Sequence, residues 1–110
     1  MPVLQNIRKQ FIQRLAALRA ALPALRHGAY RQLFVSHEQL AFARFTADQY
    51  VVVLSNAAGQ PAAFDLQLPE NTVEAVDVLN GNKRWPIEKG HLRVDAVDAH
   101  WGAILDLGRD

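Results

Sequence analysis

The residues able to do chemistry in this 110-residue chain are four histidines, eleven carboxylates and two tryptophans, with no cysteine. His27, His37, His91 and His100 lack the His-x-His or His-x3-His spacing that would set two imidazoles on one face of an element. That spacing argues against a metal site, and the missing thiolates exclude disulfides and cysteine-held metals. Asp65, Asp77 and Asp95 fall where short strands would turn them outward, so they read as a solvated face and not as an acid/base pair. No Gly-rich phosphate loop, nucleophile elbow or Ser/His/Asp arrangement occurs. The sequence therefore predicts neither a catalytic group nor a cofactor.

Trp85 and Trp101, with Tyr30 and Tyr50, remain as binding candidates. A flat aromatic face can take the C–H groups of a sugar ring, although large aromatics more often bury themselves in cores and interfaces. Trp85 lies in the polar run NKRWP, which predicts exposure. Trp101 is the second candidate.

These side chains must be positioned by a small, single-core chain. Half of its residues are apolar and its net charge is only +1. The charge is unevenly placed. Residues 1–37 hold six bases (Arg8, Lys9, Arg14, Arg19, Arg26, Arg31) and no acid, which leaves six bases against eleven acids in residues 38–110. No run approaches the ~18 apolar residues of a membrane span, and the N-terminus lacks the apolar core of a secretory signal, so a soluble chain is expected; the compartment stays open, with the cytoplasm favoured.

Periodicity changes where the charge does. Ile7, Phe11, Leu15, Leu18 and Leu22 recur at helical spacing and form one apolar stripe. Asn6 is the expected N-cap, and Pro23 ends the helix near Ala21. Beyond it, alternation of period two predicts about eight strands: Tyr30–Val35, Leu40–Thr46, Tyr50–Ser55, Ala62–Leu68, Val73–Leu79, Arg84–Glu88, His91–Val97 and Ala103–Leu107. YVVVL, Tyr50 to Leu54, has no polar residue and predicts a central strand buried on both faces. The expected fold is mainly β, an antiparallel sandwich of residues 30–110 preceded by an amphipathic helix and connector over 1–29. The connector LPALRHGAY is read as a joint. Pro23 stops the helix, Leu25 plugs the core, Arg26 meets the acidic sandwich, Gly28 takes a positive φ and Tyr30 opens the first strand.

The same residues carry a resemblance. Leu15 to Tyr30 follows the form LxxLRxxxPALRxGxY, and AFAR (Ala41–Arg44), YVVVLSN (Tyr50–Asn56), DVLNGNKRW (Asp77–Trp85) and the apolar Ala103–Leu107 follow in order. In this the chain resembles the last barrel helix and C-terminal β-domain of the α-amylase family of glycoside hydrolases, family 13, in its neopullulanase, cyclomaltodextrinase and maltogenic amylase branch. One departure stands before the final strand, where the family often has proline and this chain has Asp98-Ala99-His100-Trp101.

The resemblance implies a non-catalytic accessory domain that braces a catalytic barrel. The parent would be a retaining α-glycosidase of bacterial type whose catalytic carboxylates lie outside these residues. Away from its barrel, the stripe is expected to bury itself in a homodimer, or alternatively to fold back on its own sandwich. Two other readings are a weak maltooligosaccharide-binding module using Trp85 or Trp101, and an anion-binding module using the basic helix. Neither nucleic acid nor membrane is an expected partner.

Overall fold

The structure, a computed structural model, describes residues 2–109, with residues 2–8 and 109 by backbone alone. Helix α1 spans Pro2–Ala21 and helix α2 Pro23–His27. The strands are β1 Ala29–Val35, β2 Gln39–Phe45, β3 Tyr50–Asn56, β4 Ala62–Gln67, β5 Thr72–Asp77, β6 Lys83–Pro86, β7 His91–Val97 and β8 Trp101–Arg109. All eight expected strands are present, each end within two residues of its expected place.

Six strands form one antiparallel sheet in the order β1-β2-β3-β8-β5-β6, and β4 pairs with β7 across from it. The last strand in sequence thus becomes an inner strand, its partners being β3 on one side and β5 on the other. Alternation then divides β3 between two cores. Tyr50, Val52 and Leu54 meet Phe64, Leu66, Leu92 and Val94 from the small sheet. Val51 and Val53 point the other way, to Ile104, Leu79 and Leu25, where Phe11, Leu15 and Leu18 of α1 and Leu22 just beyond it lie over them. The all-apolar YVVVL segment is therefore buried on both faces, as its composition requires.

The stripe of α1 thus rests on the outer face of the chain's own sheet, the arrangement expected as the alternative to a dimer. Each of the four side chains is half-buried there, which contributes part of the ~1.5–3 kcal/mol that full burial of such a side chain supplies. Ile7 of the expected stripe has its side chain outside the described residues. Gly102 fixes how closely the helix approaches, because a Cβ at this position would stand 2.7 Å from the Phe11 ring and would also strike the Leu54 carbonyl.

Several details differ from expectation. Asn6 does not cap α1, which already runs from Pro2, since proline fits a first helical turn that has no use for its missing N–H. The joint contains a short helix that was not expected, α2, with Ala24 and Leu25 buried. Leu25 is the expected plug. Gly28 has φ −70°, not a positive value. Glycine is needed there for space, since a Cβ would meet the Ala24 carbonyl and lie 2.7 Å from the Phe45 amide. Arg26 is exposed and makes no ion pair among the described residues, because α2 carries it away from the acids. Arg14 donates instead to the Leu79 carbonyl at 3.3 Å.

Burial also reaches a carboxylate. Asp106 stands on the outer face beside Val51 and Val76, and desolvation raises its pKa above the usual carboxylate value. A raised folded-state pKa means that stability is fullest with the group protonated and falls as pH rises through that pKa. Asp106→Asn is therefore expected to raise Tm slightly at pH 7, with the gain vanishing on acidification. Melting curves at both pH values check the sign.

Candidate functional site

Functional side chains gather at one end of the sandwich, where β3 and β7 finish, β8 begins and the turn after β5 lies close by. Asn56 organises this end. It is 1% exposed, and its Nδ2 donates to the carbonyls of Gln60 (2.9 Å), Val97 (3.0 Å) and Asp98 (3.3 Å). Its Oδ1 accepts from the Ala58 amide at 3.0 Å and from Gln39 Nε2 at 3.1 Å.

Asp77 plays the matching part across the sheet. It is not on the solvated face expected of it, being 5% exposed. Its Oδ1 accepts from the amides of Leu79 (3.2 Å), Asn80 (3.2 Å) and Ile104 (3.3 Å), and its Oδ2 from Asn80 Nδ2 (2.8 Å). A short acceptor bonding amides two and three residues on is an Asx turn, which here closes the segment DVLN. Asn80 passes the order onward. Its Nδ2 donates to the Gly102 carbonyl at 2.9 Å, and its Oδ1 accepts from Trp101 Nε1 at 2.7 Å.

Trp101 is thereby locked between two clefts. On one side Phe11 meets it edge-on at 5.8 Å and the Arg14 guanidinium lies 5.7 Å from its ring. There a mainly apolar cleft of about 230 Å³ opens between α1 and Ser55–Ala57, with His100 in its wall. On the other side a polar cleft of about 170 Å³ contains Trp85, Lys83 and Asp98. His100 takes φ 54°, a left-handed value closed to proline.

The expected sugar platforms fare unequally. Trp85 and Trp101 come together as walls of the polar cleft. Both are half-buried, and Lys83 Nζ covers the Trp85 ring at 4.3 Å, so NKRWP does not leave that ring bare. Tyr50 is buried and stacks on Phe45, while Tyr30 is exposed on β1 and stacks on Phe42. Asp65 and Asp95 do face solvent, where Asp65 pairs with Arg93 (2.7 Å) and His91 (3.2 Å), and Arg93 also with Asp95 (3.2 Å). His27 and His37 are exposed, and no three His, Asp or Glu residues gather as a metal-ligand group among the described residues. Among these residues no helix is long and apolar enough to cross a membrane.

Asn56, Asp77 and Asn80 were not foreseen as organisers. The spacing of Asp77 and Asn80 across VL carries a local turn signal, but that Asn56 reaches 41 residues on to Val97 is set by topology alone.

The architecture is thus an antiparallel β-sandwich with one helix laid along its outer face, ordered at one end by buried polar side chains. Residues 30–100 match the family described as neopullulanase-like, C-terminal domain, and the chain belongs to that family. Solved structures share the fold. An Anoxybacillus α-amylase superposes with a TM-score of 0.77 at 21% identity over 92% of this chain and 22% of its own. The α-amylase of Geobacillus thermoleovorans, solved with acarbose, gives 0.76 at 21% identity over 84% of this chain and 21% of its own. The noncanonic maltogenic α-amylase AmyB from Thermotoga neapolitana gives 0.63 at 13% identity over 83% and 23%. The chain therefore spans about a fifth of the length of these structures. No curated protein sequence matches it.

Proposed function

We propose that the chain is the non-catalytic accessory domain of a retaining α-glycosidase acting on α-glucans, and that it packs against and stabilises the catalytic barrel. The observation that carries this is a sheet covered only in part. α1 lies along β8 and α2 against β2 and β3, with Phe42 of β2 in the same cluster, whereas the edge strand β1 carries no helix over it. Exposed apolar side chains flank this open edge. Ile12 shares a cleft wall with Ser55, Ser55 pairs with Leu40, and Leu40 pairs with Val35. Ile12 is 63% exposed, and Val35 and Tyr30 are each 57% exposed. Single exposed apolar side chains are ordinary, but several of them gathered beside an uncapped sheet edge call for a cover.

In this reading residues 1–29 supply the last helix of the barrel, turned so that its large stripe meets the sandwich. The opposite face then meets the barrel with Ile12, Ala16 and Ala20, exposed here at four-residue spacing. Small side chains there permit a close approach. The α-glucan substrate is inferred from the α-amylases and maltogenic amylase that share the fold. A second copy of the chain is the competing cover for this edge, and monomeric sedimentation of the isolated chain removes it.

The test is to change Ile12 and Val35 together to lysine in the whole enzyme. A buried unpaired ammonium is strongly unfavourable, so the melting temperature is expected to fall by several degrees. An unchanged value rejects the reading.

A further inference from the structure

We propose that the polar cleft between Trp85 and Trp101 is a subsite for one pyranose ring of an α-glucan, held through its hydroxyl groups. The identity of the sugar rests on the α-glycosidase reading above; the cleft itself does not.

The walls of this cleft divide into spent and unspent groups. The oxygens of Asp77 and the amide of Asn80 are occupied by Leu79, Ile104, Gly102 and Trp101, and so form a rigid frame. Three groups remain. Trp85 Nε1 is enclosed and has no hydrogen-bond acceptor, which is rare for a buried indole N–H. The Asp98 side chain is exposed and makes no ion pair among the described residues, and the Lys83 ammonium rests on the Trp85 ring.

Together these groups select for a particular ligand chemistry. With the Asp77 oxygens already spent on amides, the cleft offers one free acceptor in Asp98 and one donor in Lys83, of opposite charge. A neutral hydroxyl both donates and accepts, so vicinal hydroxyls can donate to Asp98 while accepting from Lys83 and from Trp85 Nε1. Lys83 is the movable part, since its flexible stem can swing off the face of the indole. The volume of about 170 Å³ is below the roughly 300 Å³ at which drug-sized pockets begin, which suits one ring and not a chain. The Trp101 wall does not move, being fixed by Asn80, Phe11 and Arg14.

With only two tryptophans in the chain, indole N–H signals report this site directly. The experiment titrates the ¹⁵N-labelled 110-residue chain with maltotriose to about 50 mM, because a single-ring contact corresponds to a dissociation constant on the order of millimolar. The Trp85 indole signal is expected to move saturably, and Asp98→Ala, an exposed change that leaves the fold intact, to weaken binding at least about fivefold. No indole shift, or a shift indifferent to Asp98→Ala, overturns the proposal. Because the barrel takes no part in the titration, its outcome is independent of the melting test on the whole enzyme.

Discussion

Asp77→Ala is expected to lower the melting temperature of the chain by roughly 12–20 °C, the largest loss from any single polar side chain here. The carboxylate accepts from three amides, and those of Leu79 and Ile104 lie in the interior. Each buried N–H left without an acceptor costs about 1–3 kcal/mol, so a total of about 3–4 kcal/mol follows. The loss propagates, because Asn80 would no longer be held to present its oxygen to Trp101. Near-ultraviolet circular dichroism from Trp101 should weaken along with stability. Asp77→Asn keeps an oxygen at the Oδ1 position and should retain most of the stability, but it sets an NH2 donor against Asn80 Nδ2 and should still weaken the Trp101 signal. If alanine were tolerated within about 1 kcal/mol, the turn would not be organised by this side chain.

Gly102→Ala is the second large effect, and its cause is steric. The added methyl would strike the Leu54 carbonyl in the neighbouring strand and lie 2.7 Å from a Phe11 ring carbon. The strand cannot retreat without breaking the β3–β8 pairing of Ser55 with Gly102, so a loss of about 2–4 kcal/mol is expected. The Phe11 share can be isolated. In a Phe11→Ala background the same change should cost about 0.5–1 kcal/mol less, since one of its two obstacles has gone. Strict additivity would mean that α1 does not lie on Gly102.

Much of this fold was legible because strands and turns announce themselves locally. YVVVL could only be a strand buried on two faces, and the Leu15–Tyr30 run correctly indicated the family. What could not be read depended on distant approach. Gly28 looked like a turn glycine because sequence shows flexibility but not the Phe45 amide beside it. Asp77 looked solvated because alternation assigns a face but cannot see three amides converging on it. Arg26 was paired with the acidic half by net charge, whereas α2 turned it to solvent. The two tryptophans named as candidates line one cleft, yet that Lys83 would cover Trp85 follows only from the pairing of β5 with β6, which sets Lys83 against Asp77 and Trp85 against Ala75.

The central claim is that the uncovered edge of the sheet, with Ile12 beside it, is a surface made for the barrel. Its most direct test melts the Ile12→Lys, Val35→Lys pair in two settings, the whole enzyme and the isolated 110-residue chain. Both side chains are more than half exposed in the chain alone, where lysine is compatible with a helix and with an edge strand. The account predicts a fall of several degrees in the enzyme and little change in the isolated chain. An equal fall in both would make this edge part of the domain's own stability, and no fall in either would leave the barrel docked elsewhere; either result contradicts the claim.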